Sequence, residues 1–323
     1  MRQGFGYYFI VHTNDSGFGL IEVLASIVVI IAVSSLGWWV WSSHHGRLSI
    51  QLSPASQQKV TNTNGTYWMI NDYNVADLQS AGMPQTEINY FFNNPHTLLI
   101  QNQNSGKKNS INVERELPNA TIVHHFASFA GMQNAFSDHA IPTATKYIIY
   151  DPETWSATPS NEQANPLGFE QKAFSLVHQH GMKLIFTPAN DLTKVLARSA
   201  IASGQSKYNE FLNLGIASKG APYTDMFELQ AQQDEGYPGF SSYVSSALNQ
   251  IRQSNPNCVV LVGIGSNPGG RTVSYQTILN DYASVKSEVS GFWFNMPGKG
   301  NKRSQANTTA LQFFQSVYDQ LRT

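Results

Sequence analysis

The chain has 323 residues and a formal net charge of -1, so it offers no excess of positive charge to a polyanion such as nucleic acid. Only 13% of its residues are charged, and Asn, Gln, Ser and Thr supply the polar surface instead. The single cysteine, Cys258, excludes an internal disulfide and a cysteine-rich metal site, and its place before an apolar run reads as a small buried hydrophobe.

The first element in chain order is the apolar run 18–41, FGLIEVLASIVVIIAVSSLGWWVW. At about 1.5 Å of rise per residue, a helix of this length crosses a hydrocarbon core of about 30 Å with some tilt. Trp38, Trp39 and Trp41 stand at one end, where an aromatic belt would lie. A secretory signal has a shorter apolar core followed by a small-x-small cleavage site, and this run has neither feature. Glu22 interrupts the run near its start, where an ionisable group is costly and usually has a function. The order Gly17-Phe18-Gly19-Leu20-Ile21-Glu22 resembles the prepilin cleavage and methylation segment of type IV pilins and type II secretion pseudopilins. That resemblance implies a prepilin peptidase cutting after Gly17 and methylation of Phe18 as the new terminus. It also implies that Glu22 neutralises the terminal amine of a neighbouring pilin or pseudopilin subunit. The implied organisation is a leader at 1–17 and a single-pass membrane helix at 18–45, with the rest of the chain at the cell surface. The leader departs from the family pattern in having Arg2 as its one basic residue and an apolar stretch from Tyr7 to Val11.

Residues 46–64, GRLSIQLSPASQQKVTNTN, are dominated by Ser, Gln, Thr and Asn and read as a flexible or extended linker. From 65 to 323, apolar strand-like runs alternate with longer amphipathic stretches. The predicted strands are 67–71, 97–102, 121–126, 147–153, 183–189, 226–232, 259–266 and 291–296. The clearest predicted helices are 75–92, 168–180, 240–253, 275–289 and 308–321. Strand–helix alternation implies a parallel sheet with helices outside it. Eight strands and a closing helix fit an α/β fold of the (β/α)₈ TIM-type barrel, preceded by the N-terminal transmembrane helix. An open doubly wound sheet is the competing arrangement, because 103–118 holds only a short helical pattern. The sequence GIGSNPGG at 263–270 lacks the G-x-G-x-x-G spacing and follows the seventh strand, so its glycines read as turn formers.

In a barrel the active site gathers at the C-terminal ends of the strands. Those ends carry His124 and His125 on the third strand, Asp151 and Glu153 on the fourth, and Asn190 after the fifth. Glu228, Gln230 and Gln232 follow on the sixth, Trp293 and Asn295 on the eighth. Carboxylates, amides and an indole suit a sugar: acid–base work, hydroxyl recognition and an apolar face. Asp151 and Glu153 are two apart, so they share a face, and such a pair splits its pKa values. The structural alternative is that Asp151 caps a turn and Glu153 bonds nearby backbone. On the sixth strand Phe227, Leu229 and Ala231 take one face and Glu228, Gln230 and Gln232 the inward one, where they need a ligand or a buried network. Adjacent histidines face opposite sides, so one of the pair lines the mouth, and His124 is taken as that residue. His178 and His180 end a helix before Gly181, a position that suits cations. No metal site and no cofactor is expected.

The segment ending Asp151-Pro152-Glu153 resembles the fourth strand of chitinase-like family 18 glycoside hydrolases, whose motif ends Asp-x-Glu. The segment from Tyr223 to Gln232 is similar to their sixth strand, and Gly291-Phe292-Trp293 to their eighth. The resemblance implies Glu153 as general acid, Asp151 as its partner and Trp293 as the floor of the sugar site. Tyr147 and Ile149 stand where that motif has aspartates, and Gln230 or Gln232 stands near the place of its sixth-strand tyrosine. Two functions follow as expectations. One is a surface-anchored glycoside-hydrolase-like enzyme acting on a polysaccharide. The other is a minor-pilin-like protein that binds glycan without cleaving it, or that takes part in pilus or secretion assembly.

Overall fold

Eight short strands form the sheet: β1 (Tyr67–Asn71), β2 (Thr97–Ile100), β3 (Thr121–Phe126), β4 (Thr145–Tyr150), β5 (Lys183–Phe186), β6 (Met226–Leu229), β7 (Val259–Gly265) and β8 (Gly291–Asn295). The computed structural model that contains them describes residues 65–101, 113–297, 300 and 302–322. The leader, the apolar run with Gly17, Phe18 and Glu22, the linker and Asn102 lie outside the described residues. The strands are parallel, pair in chain order and close into a barrel as β8 returns to β1. Closure removes the open doubly wound alternative.

The apolar runs close this way because each strand is covered on both faces. Met69, Ile100, Val123, Ile149, Met226 and Leu261 point into the barrel and fill it. Their neighbours of opposite parity, such as Leu99, Ile148, Phe186 and Phe227, pack outward under the helices. Trp68 anchors the outer layer where the barrel closes. Its ring lies between 5.3 and 6.2 Å from those of Phe91, Tyr282, Phe292, Phe313 and Phe314. Cys258 packs against this layer, half-buried rather than fully so.

Several elements differ from the sequence reading. The predicted helix 75–92 is two helices, Asp72–Ser80 and Gln85–Phe92. Gly82, at φ 103°, and Pro84 make the break between them. Four short helices, Thr193–Leu196, Arg198–Ala202, Lys207–Asn213 and Ile216–Gly220, fill the path from β5 to β6, for which no helix is predicted. The closing helix, Arg303–Gln320, starts earlier than predicted, and Arg303 Nε donates to the buried Asp77 at 3.0 Å.

The strands β4, β5 and β6 end at Tyr150, Phe186 and Leu229, short of the predicted 153, 189 and 232. Pro152 and Pro188 have no N–H for a ladder, which limits the first two. The chain still keeps an extended course past Tyr150, because Asp151 N donates to Phe126 O at 2.9 Å and Ala189 N to Pro152 O at 3.1 Å. Asp151 therefore keeps the inward parity of Ile149.

At the seam, Gly291 pairs with Tyr67. A side chain there would overlap the Tyr67 carbonyl and stand 2.6 Å from its Cβ. Gly291→Ala should therefore pry the seam open and cost about 2–3 kcal/mol of stability. Urea unfolding of a fragment spanning the compact unit Val60–Thr323 measures this. The unsubstituted fragment should be soluble and unfold in one cooperative transition; aggregation in the absence of residues 1–59 would put the domain boundary elsewhere.

Candidate active site

The polar residues that the strands carry past their last paired positions meet at one end of the barrel. Gln230 is central to them. Its backbone carbonyl accepts from Asn190 Nδ2 at 2.6 Å, and Asn190 Oδ1 in turn accepts from Tyr243 OH at 2.6 Å. With its backbone held, Gln230 directs its side-chain amide at three oxygens. These are Asp151 Oδ1 at 2.8 Å, Thr187 O at 3.0 Å and Glu153 Oε1 at 3.5 Å. All three are acceptors, so the nitrogen, and not the oxygen, of the Gln230 amide faces them.

Asp151 is 4% exposed and uses its other oxygen, Oδ2, to accept from His125 Nε2 at 2.8 Å. Glu153 lies nearer the surface. Its backbone N–H donates to Thr158 Oγ1 at 3.1 Å. Burial, then the negative charges of Asp151 and Asp191, push the Glu153 carboxyl up to about 7, against the smaller opposing effects of Gln230 and His125. Asp191 is fixed nearby by Thr154, whose N–H donates to it at 3.1 Å and whose hydroxyl bonds its other oxygen.

A cleft of about 180 Å³ opens at this end, lined in part by Glu153, Gln230, Gln232, Gln233, Asn267 and Asn295. Four residues singled out from sequence thus share one hollow: Glu153, Gln230, Gln232 and Asn295. Glu228 does not line it. It is fully buried on β6, and neither of its carboxylate oxygens has a hydrogen-bond partner among the described residues. Burial first, then Asp151 and Glu153, raise its carboxyl well above the usual carboxylate range. Glu228 finds room because the facing residue on β7 is Gly263. A Cβ there would stand 2.6 Å from Glu228 Oε1 and closer still to Gln232 Oε1.

Three residues expected at the substrate sit elsewhere. His124 faces outward, its ring 5.1 Å from Phe126 and its Nδ1 buried without a partner among the described residues. Because Val123 points inward, it is His125 that reaches the site. Asn190 is 3% exposed and spends its side chain on Gln230 and Tyr243, so it positions the site rather than lining it. Trp293, 8% exposed, packs with the inner core beside Met69 and Leu261, and its Nε1 is buried without a partner among the described residues. Sequence reading passed over Thr158 and Tyr243. Only His125 left a usable signal: Phe126, an apolar residue of His124's parity, marks that parity as the packed face.

No family model matches the chain, and a search of curated proteins finds no match. Solved structures of similar shape include the catalytic domain of a family 18 chitinase from the fern Peteris ryukyuensis. It is 11% identical at a TM-score of 0.47, with 77% of this chain and 99% of that one covered. The family 17 β-1,3-glucanosyltransferase of Rhizomucor miehei is 12% identical at a TM-score of 0.44, with 75% and 91% covered. A truncated 3-deoxy-D-arabino-heptulosonate 7-phosphate synthase from Thermotoga maritima is 10% identical at a TM-score of 0.40, with 80% and 86% covered. These barrels carry different chemistries, so the functional argument rests on this chain's own residues.

Glu228 gives a stability test. In the unfolded chain it ionises in the ordinary carboxylate range, whereas in the fold it keeps its proton. Its contribution to stability is therefore fully present at acid pH and is lost as pH rises, by up to about 1.4 kcal/mol per pH unit. Glu228→Gln keeps the shape and removes that dependence. The variant should gain on the wild type in urea midpoint as pH rises above the ordinary carboxylate range, and parallel curves would place an ionised Glu228 in the fold.

Proposed function

We propose that the barrel is a glycoside-hydrolase-like enzyme that acts on a carbohydrate, with Glu153 as its general acid. The observation that carries this is a cleft-lining carboxyl pushed up to about 7 by burial and the charge of Asp151. Hydrolysis of a glycosidic bond needs a proton on the bridging oxygen as the bond to the anomeric carbon breaks, and water to replace it. A carboxyl that holds its proton near neutrality and opens to solvent can deliver it. Asp151 serves Glu153 through its charge. Gln230 and His125 keep that charge in place. Gln232 and Asn295 offer amides to sugar hydroxyls.

A second reading, glycan binding without cleavage, draws on Asp151. Both of its oxygens are engaged and it is 4% exposed, which leaves Glu153 without a second free carboxylate beside it. The test is a screen of the protein against soluble polysaccharides. On a cleaved substrate Glu153→Gln should lower kcat by about 10²–10⁴-fold while leaving binding nearly intact. Because the acid works protonated, wild-type kcat should fall as pH rises through about 7. Full activity of Glu153→Gln would reject the assignment, and binding without any cleavage would favour the second reading.

The same proposal places the barrel outside the cell, tethered by residues 18–45, with the chain a substrate of a prepilin peptidase and able to meet pilin or pseudopilin subunits. The support is the order Gly17-Phe18-Gly19-Leu20-Ile21-Glu22 ahead of a long apolar run. Co-expression with a prepilin peptidase should yield a chain that begins at Phe18, and a bulky residue at Gly17 should block the cut. N-terminal sequencing decides this: retention of Met1, or a cut beyond Trp41, would remove the proposal.

A further inference from the structure

Trp155 lies two residues beyond Glu153 and is 46% exposed, whereas Trp68 and Trp293 are buried. Its exposure is not looseness. The indole Nε1 donates to Thr158 Oγ1 at 3.1 Å, and the Trp155 carbonyl accepts from Gln163 Nε2 at 3.1 Å. Thr158 Oγ1 also accepts the backbone N–H of Glu153 at 3.1 Å and donates to Ala127 O at 2.8 Å. One hydroxyl oxygen, 1% exposed as a residue, therefore takes two donors and gives its own proton, which uses its full capacity. The backbone of Glu153 and the ring of Trp155 hang from the same atom.

An indole fixed by its one polar atom, in a residue nearly half open to solvent, suits the apolar face of a pyranose. A ring held in advance loses little side-chain freedom when a ligand stacks on it. We propose that Trp155 is the aromatic platform of a further sugar subsite beside Glu153, with Thr158 as the positioning residue that sets platform and acid in register. The substrate class that follows is a chain of several sugar units, one at the cleft and a neighbour stacked on Trp155, rather than a single sugar on a small aglycone. This inference rests on the reading of the cleft as a carbohydrate site.

The test uses the full chain carrying Glu153→Gln, titrated with cellohexaose, laminarihexaose and N-acetylchitohexaose. At least one hexasaccharide should bind and shield a tryptophan from acrylamide quenching. Adding Trp155→Ala should weaken that binding about tenfold and abolish the shielding. Thr158→Val, which keeps the shape and removes the oxygen, should weaken it in the same direction, and Thr158→Ser should restore it. Tyr223→Ala is the control, since Tyr223 is 38% exposed but precedes β6 at the opposite end of the barrel, and it should bind as the parent does. If a hexasaccharide binds equally well with and without Trp155, the platform is wrong and the carbohydrate site stands. If none of the three binds, both fall.

Discussion

The side-chain amide of Gln230 has two protons and faces three oxygens. The shorter contacts, to Asp151 at 2.8 Å and to Thr187 O at 3.0 Å, use both. Glu153, at 3.5 Å, is left with the weak remainder. The chemistry of the site depends on that shortage. With a full share of donors, the Glu153 carboxyl would be stabilised as an anion. Buried, beside a charged Asp151 and short of a donor, it holds a proton near neutrality instead. Asn190, itself held by Tyr243, fixes the Gln230 backbone from which this amide extends.

The barrel makes such an arrangement possible by letting polar residues enter only at one end. Below, the interior is filled by Met69, Val123, Ile149 and Leu261. Above, the inward positions become His125, Asp151, Glu228 and Gln230, with His125 and Gln230 both bonded to Asp151. Gly263 is the concession on the facing strand: two side chains occupy the space its own would need. A parallel barrel can carry this because its inward positions alternate with outward ones that supply the hydrophobic packing.

The strand order was readable because each strand is buried on both faces and therefore shows as an unbroken apolar run. Period-two parity was readable too, and it places Asp151 with Glu153 and Glu228 with Gln230 on inward-facing courses. Parity alone could not choose between His124 and His125, since adjacent residues of one type give no contrast; only Phe126 supplied it. Depth was not readable at all. Trp293 and Asn295 share a parity, yet one sits in the inner core and the other lines the cleft. Trp155 and Thr158 depend on the path of a loop, which no periodicity encodes. The break at Gly82 and Pro84 was present in local chemistry, but the apolar period of 75–92 ran across it and masked it. The motif at Gly17–Glu22 lies outside the described residues.

The buried carboxyls tie the stability of the fold to the protonation its proposed chemistry needs. Glu228 and Glu170 are each fully buried, and neither carboxyl has a hydrogen-bond partner among the described residues. Glu235 is also fully buried and has a bond to only one oxygen, from Gly265 N at 2.9 Å. Burial raises all three well above the usual carboxylate range. Each contributes most to stability at acid pH, before the unfolded chain can gain by ionising, and that contribution is lost as pH rises towards the folded-state value. Glu153 follows the same sign, because the acid function proposed for it would be lost as pH rises through about 7. A change that neutralised Asp151 would lower the Glu153 carboxyl and move the activity limit to lower pH. It would also relieve the repulsion on Glu228, since Asp151 contributes to both shifts. The proposed activity and the stability of this barrel are therefore coupled through one charge, and a substitution at Asp151 acts on the protonation of both Glu153 and Glu228.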